Sequence, residues 1–322
     1  MTYRKAHIAG VGAYLPEEIV SNDDLSRILD TSDEWIRARS GIAQRHRAAQ
    51  GQTTSDLAVE AARDALGNAG VKAYELDMII VATTTPDRTF PATAALVQQK
   101  LGISQGAAFD VQAVCSGFVY GLSVAAAMVE TGQAERVLLI GAECMTRLLD
   151  WQDRSTAVLF GDGAGAVVVQ ATDADNPHII DSYLRSDGML ADLLYVDGGV
   201  SSTGTVGHLR MQGREVYRHA VGKIAEAIET LLARQNLTID DIDWFVPHQA
   251  NARIISGVAD RIGLPRDKTV VTVHQHANTS AASIPLALHA QASAGKIKPG
   301  QLIMLEAMGG GLTWGANLLR WS

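Results

Sequence analysis

The chain has 322 residues, 47% of them hydrophobic and 5% aromatic, with a formal net charge of −8, a balance that argues against nucleic acid as the main partner. Two cysteines, Cys115 and Cys144, are too few for a disulfide framework and lack the CxxC spacing of a metal site. No apolar run reaches the length of a membrane span, and Met1-Thr2-Tyr3-Arg4-Lys5 leads into a strand-like segment and not a signal-peptide core, so the expectation is a soluble cytoplasmic protein.

The chain then repeats one order of elements. A helix-like stretch from Asp56 to Ala69 leads into the strand Met78-Ile79-Ile80-Val81-Ala82, and later Val216 to Gln235 leads into Trp244-Phe245-Val246-Pro247. Each half then offers a glycine turn (Leu101-Gly102, Ile262-Gly263) and a second strand, Ala107 to Val111 and Thr269 to Val273. A small-residue turn opens an apolar helix in each, Cys115-Ser116-Gly117 and Asn278-Thr279-Ser280, and a last strand follows, Arg136 to Ile140 and Gln301 to Leu305. Long helices alternating with short Val/Ile/Leu strands imply buried sheets covered by helices. Two such halves put Cys115 and Asn278 at equivalent helix starts near a pseudo-two-fold axis. The plainer alternative is that any two α/β halves look alike at this level.

Three residues draw attention as chemistry. A thiol at a helix start faces unpaired N–H groups and the positive end of the dipole, which favours the nucleophilic thiolate. The alternative for Cys115 is a buried gap-filler, and Cys144 reads as packing. His248, in Pro247-His248-Gln249-Ala250-Asn251, directly follows a strand, where loop side chains converge on sites. Asn278 is a polar residue at the second small-residue turn, with a plain N-cap as its alternative role. Cys, His and Asn in this order also occur in papain-like cysteine hydrolases, but that family's signature around the nucleophile is missing. Gly161-Asp162-Gly163-Ala164-Gly165 is followed by a β-run, Ala166 to Val169, which fails the dinucleotide fingerprint.

Six collinear motifs carry a resemblance that spans essentially the whole chain: Thr31-Ser32-Asp33-Glu34-Trp35-Ile36, Ala113-Val114-Cys115-Ser116-Gly117, Phe160 to Ala166, Pro247 to Asn251, Asn278 to Ser283, and Gly309-Gly310-Gly311-Leu312-Thr313-Trp314-Gly315. The sequence resembles the type III β-ketoacyl-acyl carrier protein synthases of bacterial fatty-acid synthesis, in the thiolase superfamily. The resemblance implies an α/β fold, a thiolase-like duplicated five-layer α-β-α-β-α sandwich, with one half at 1–172 bearing the nucleophile and one at 173–322 bearing His and Asn. It implies a homodimer.

It also implies a decarboxylative Claisen condensation of an acyl-CoA starter, acetyl-CoA by default, with malonyl-acyl carrier protein, giving β-ketoacyl-acyl carrier protein, CoA and CO2. The alternative is a related condensing enzyme or acyltransferase taking a longer acyl-CoA in secondary metabolism. Cys115 would carry the acyl group, His248 and Asn278 would donate to the malonyl thioester oxygen, and the backbone of Cys115 and Gly310 would form the oxyanion hole. Trp35 and Arg154 match positions that sandwich the CoA adenine, Arg39 a phosphate contact, and Gly213 and Asn251 the pantetheine tunnel. Phe160, with Phe90 of a partner subunit, would shape the acyl pocket. Arg214, Arg218, Arg253 and Arg261 would give the acidic acyl carrier protein a basic rim. Acyl-CoA is a substrate, and neither a cofactor, a metal, a nucleic acid nor a membrane is expected. A non-catalytic scaffold on this fold would be expected to lose part of the Cys-His-Asn set, and this chain keeps all three. The chain departs from the family in Val114 for the usual Ala, Asp260 at an often basic rim position, and Ala277 for the usual Gly, costly by about 1 kcal/mol if its φ is positive.

Overall fold

The computed structural model describes residues 4–173, 175 and 178–322, so Met1, Thr2 and Tyr3 of the N-terminal run lie outside the described residues. Nine strands form its two large sheets: β1 (Lys5–Tyr14), β2 (Met78–Ala82), β3 (Ala107–Val111), β4 (Arg136–Cys144), β5 (Asp162–Thr172), β6 (Ile179–Ser186), β7 (Trp244–Pro247), β8 (Leu302–Gly309) and β9 (Thr313–Arg320). The first sheet runs β1-β5-β4-β2-β3, with β2 parallel to β3 and β4 and with β5 antiparallel to β1 and β4. The second runs β7-β8-β9-β6, with β7 parallel to β8 and the other pairs antiparallel. Read from the far edge, β6-β9-β8-β7 repeats β1-β5-β4-β2, so the second sheet repeats four strands of the first.

Six longer helices cover the sheets: α1 (Thr54–Ala69), α2 (Thr93–Lys100), α3 (Gly117–Glu130), α4 (Gly213–Arg234), α5 (Ala252–Ile262) and α6 (Ser283–Ser293). Helix α1 shows why: Thr53 and Asp56 close a capping box at its start, Gly70 ends it in the left-handed conformation, and Leu57, Ala58, Ala61, Ala62 and Ala65 give a buried stripe. Helices α1 and α2 pack on the outer face of the first sheet, α3 and α6 between the sheets, and α4 on the second with α5 against it. The five layers follow from strands buried on both faces. Along β2, Met78 and Ile80 join the central core while Ile79 and Val81 join the outer one. Along β8, Ile303, Leu305 and Ala307 face the centre while Leu302, Met304 and Met308 face α4.

One expected strand is absent. Thr269 to Val273 makes only a single bridge, Phe245 to Thr269, before a helical turn at Val273–His276. The buried Gln249 side chain accounts for this. Its oxygen accepts from Thr272 N (2.7 Å) and Val273 N (3.0 Å), and its nitrogen donates to Val270 O (3.0 Å). The backbone groups a ladder would use are spoken for.

Candidate active site

The two small-residue turns that the sequence singles out meet across the molecule. Cys115 lies not at the start of α3 but in the 3-10 turn Val114–Ser116 before it, and Asn278 lies ahead of the 3-10 turn Ser280–Ala282 that precedes α6. The glycine run packs beneath the first turn: a Cβ on Gly309 would come within 2.6 Å of Cys115 N, so only glycine lets β8 approach so closely. Gly310, expected at the oxyanion hole, comes next; a Cβ there would meet Leu194 O at 2.7 Å. The second turn is pinned by the segment before β5, with Asn278 N donating to Leu159 O and Gly161 N donating to Asn278 O, both at 3.0 Å. The Gly161–Gly165 run therefore continues into β5 as an ordinary strand. Its Asp162 is fully buried and accepts from Ala48 N, Thr146 N and the Thr146 hydroxyl.

Cys115, His248 and Asn278 open into one cavity of about 740 Å³, which Phe160, Met308 and Glu306 also line. The amide of Asn278 is oriented, because its oxygen accepts from Ser280 N at 2.9 Å. That leaves its NH2 for the cavity. His248 is held from behind, with Nδ1 2.6 Å from the Ser283 hydroxyl.

Burial decides the charge states. It pushes the Cys115 thiol up to about 12, against the smaller opposite pull of the Ser280 hydroxyl, and the nearby Glu143 carboxyl adds to the rise. The thiolate expected from the helix dipole is therefore not the resting form: α3 begins two residues later, and desolvation outweighs the local field. Burial also draws His248 down to about 3, so its imidazole is neutral. Cys144 is buried in the outer core and is likewise pushed up to about 12.

Glu306, not among the residues singled out from the sequence, also faces the cavity. This carboxyl is 2% exposed, no hydrogen bond from the described residues satisfies its Oε2, and burial raises it to about 8, so it is largely protonated at neutral pH. A lone acid among the apolar residues of Leu302–Gly309, three positions before the glycine run, was the available signal.

The expected substrate contacts fall into three groups. Arg39, Gly213, Asn251, Arg214 and Arg253 line the cavity or its mouth. Asn251 also caps α5, accepting from Arg253 N at 2.8 Å, and donates to Arg39 O at 3.1 Å. Trp35 and Arg154 lie outside the cavity lining, and the guanidinium carbons of Arg39 and Arg154 stand 4.5 and 5.0 Å from the Trp35 ring centroid. A flat base would have to part Arg154 from Trp35 to lie between them. Arg218 is exposed and paired with Glu215, Arg261 is exposed, and Asp260 is paired with Arg266. Phe90 is 82% exposed and apart from the cavity.

Comparison with known proteins follows the same lines. Two family models match, "3-Oxoacyl-[acyl-carrier-protein (ACP)] synthase III" over residues 109–188 and its C-terminal counterpart over residues 232–321. A β-ketoacyl-[acyl-carrier-protein] synthase III of Cereibacter sphaeroides is 58% identical over 325 aligned residues, covering 100% of both chains. The crystal structure of 3-oxoacyl-[acyl-carrier-protein] synthase III from Aquifex aeolicus superposes with a TM-score of 0.94 at 45% identity, covering 98% of this chain and 100% of that one. The priming β-ketosynthase of the R1128 polyketide biosynthetic pathway has the same TM-score, 0.94, at 35% identity, covering 99% of this chain and 97% of that one.

Proposed function

The chain belongs to the 3-oxoacyl-[acyl-carrier-protein] synthase III family, and from that membership we propose how its own residues carry out the initiating condensation of an acyl-CoA with malonyl-acyl carrier protein. The observation that carries the reading is the convergence of Cys115, His248 and Asn278 on one cavity, with the Asn278 amide turned to donate.

Cys115 attacks the acyl-CoA carbonyl. A new carbon–sulfur bond forms, the bond to CoA breaks, and CoA leaves as the thiol with the proton that Cys115 gives up. The oxyanion of this step is held by the backbone N–H groups of Cys115 and Gly310. Because the resting thiol is neutral, its proton leaves as the bond to carbon forms, which suits attack by a thiol buried away from water.

Malonyl on the carrier then enters the same cavity. Its carbon–carboxylate bond breaks and CO2 departs. The electron pair becomes an enolate, whose oxygen takes hydrogen bonds from His248 and Asn278. Two neutral donors suit a charge that exists only in passing, and each is worth about 3–4 kcal/mol where water is excluded. The enolate carbon attacks the acyl carbonyl, a carbon–carbon bond forms, the carbon–sulfur bond to Cys115 breaks, and the Cys115 thiolate takes a proton from solvent to return to its neutral form.

The finer parts of the reading rest on the resemblance. These are acetyl-CoA as default starter, adenine between Trp35 and Arg154, a phosphate at Arg39, and Gly213 and Asn251 along the pantetheine arm. The carrier approaches over Arg214, Arg218 and Arg253. Phe90 reaches the acyl pocket only across a homodimer, and the two halves divide at 172/173. No described helix is long and apolar enough to cross a membrane, which fits a cytoplasmic setting. The longer-chain, secondary-metabolite alternative has less support, since the polyketide ketosynthase, at 35% identity, is less similar in sequence than the Cereibacter and Aquifex synthases, at 58% and 45%.

The test separates the two stages. His248→Ala and Asn278→Ala should still take an acyl group from acyl-CoA, seen by intact mass, while malonyl decarboxylation falls by about a hundredfold or more. Loss of acylation in step with decarboxylation would refute the assignment of both residues to the second stage.

A further inference from the structure

We propose that Ser283 is a positioning residue that holds His248 in the tautomer with its proton on Nε2, so that the imidazole meets the substrate as a hydrogen-bond donor. The proposal rests on the donor role given to His248 above.

The argument is one of proton placement. The Ser283 hydroxyl stands 2.6 Å from His248 Nδ1 and 3.3 Å from the backbone nitrogen of Gln249. The amide can only donate, so the hydroxyl oxygen accepts from it. The single hydroxyl proton then needs an acceptor, and Nδ1 is the one the described residues provide. A serine in a helix often donates to the carbonyl four residues back, but among the described residues the Ser283 hydroxyl makes no bond to Thr279 O and lies instead against His248 Nδ1 and Gln249 N. If Nδ1 carried the proton, the hydroxyl oxygen would receive two donors and its own proton would be stranded. Ser283 is 1% exposed, and buried polar groups are rarely left without a partner. An imidazolium would fill Nδ1 as well, but burial keeps His248 neutral.

Nε2 therefore bears the hydrogen, and His248 turns it to the cavity shared with Cys115 and Asn278. The two donors are prepared alike. The acceptor atom of each is occupied from within the segment Asn278–Ser283, Asn278 Oδ1 by Ser280 N and His248 Nδ1 by Ser283. A consequence separates this site from cysteine hydrolases: a nitrogen that already carries hydrogen cannot take the proton of Cys115.

Nitrogen-15 spectra of histidine-labelled protein at neutral pH, with His248→Gln to assign the signal, read the tautomer directly. We expect a pyrrole-type Nε2 and a pyridine-type Nδ1 in the wild type. The reverse pattern, or an even mixture, overturns the proposal, and the wild-type spectrum decides this whether or not Ser283→Ala folds. In Ser283→Ala the signal should shift toward the other tautomer, and condensation should fall about tenfold to a hundredfold further than acylation, with Ser283→Thr restoring both. An equal fall in the two stages would make Ser283 a packing residue and overturn the proposal. If the wild-type tautomer is as stated but His248→Gln condenses at the wild-type rate, the tautomer assignment stands and the donor role falls.

Discussion

Cys115, His248 and Glu306 line one cavity at 4%, 6% and 2% exposure, and none is free enough to carry its charge cheaply. The consequence for stability depends on the sign of each shift. Glu306, raised by burial from 4.5 to about 8, keeps a proton on folding that the unfolded chain gives up. The stability this confers is whole below about pH 4.5 and is lost as pH rises through about 8. His248 and His276, drawn down by burial from 6.5 to about 3 and about 4, act the other way. The unfolded chain binds protons that the folded one refuses, so stability falls as pH drops from 6.5 toward those values. Glu306→Gln should thus gain on the wild type as pH rises from about 5 to about 9, by on the order of a few kcal/mol in denaturant melts. Parallel pH profiles for the two proteins would contradict the burial argument. Glu306 left a trace in local sequence as a lone acid in an apolar strand, but its protonated state and the neutral thiol did not, because desolvation is set by strands and helices distant along the chain.

At the level of elements, the candidate catalytic residues Cys115 and Asn278 are carried by strained turns. Val114, just before Cys115, has φ 49°, Ala277, just before Asn278, has φ 57°, and Ser280, two residues after it, has φ 50°. Ala277 also has ψ −161°, a region essentially reserved for glycine, at a cost on the order of 1–3 kcal/mol. Ala277→Gly relieves this but gives up a buried methyl and stiffness in the unfolded chain, about 1 kcal/mol each. We predict a stability within about 1 kcal/mol of wild type in thermal or denaturant melts. A loss above about 2 kcal/mol would show that the surroundings need the methyl more than the backbone needs relief. Legibility at this scale followed range of interaction. The strands at 78–82 and 107–111 lie where apolar pattern and turn residues put them. The strand expected at 269–273 failed because a side chain some twenty positions away, Gln249, captured its backbone groups.

For the molecule as a whole, the repeated strand order brings two turns far apart in sequence to a common cavity. The duplication was readable as an order of elements, and it already paired the Cys115 turn with the Asn278 turn. What it could not supply was orientation: which atom of Asn278 is tied back, and what stands behind His248. Those depend on Ser280 and Ser283, which read in sequence as small residues of a turn.

The central claim is that Cys115 takes an acyl group from CoA and passes it to a malonyl-derived carbanion. The direct test is intact mass of the purified protein with a panel of acyl-CoAs, beside Cys115→Ala, before and after malonyl-acyl carrier protein is added. The account predicts an acyl mass gain that requires Cys115 and disappears on addition of the malonyl carrier, with β-ketoacyl-carrier product formed. A protein that gains no mass from any acyl-CoA, or that keeps its acyl group without forming a new carbon–carbon bond, would contradict it.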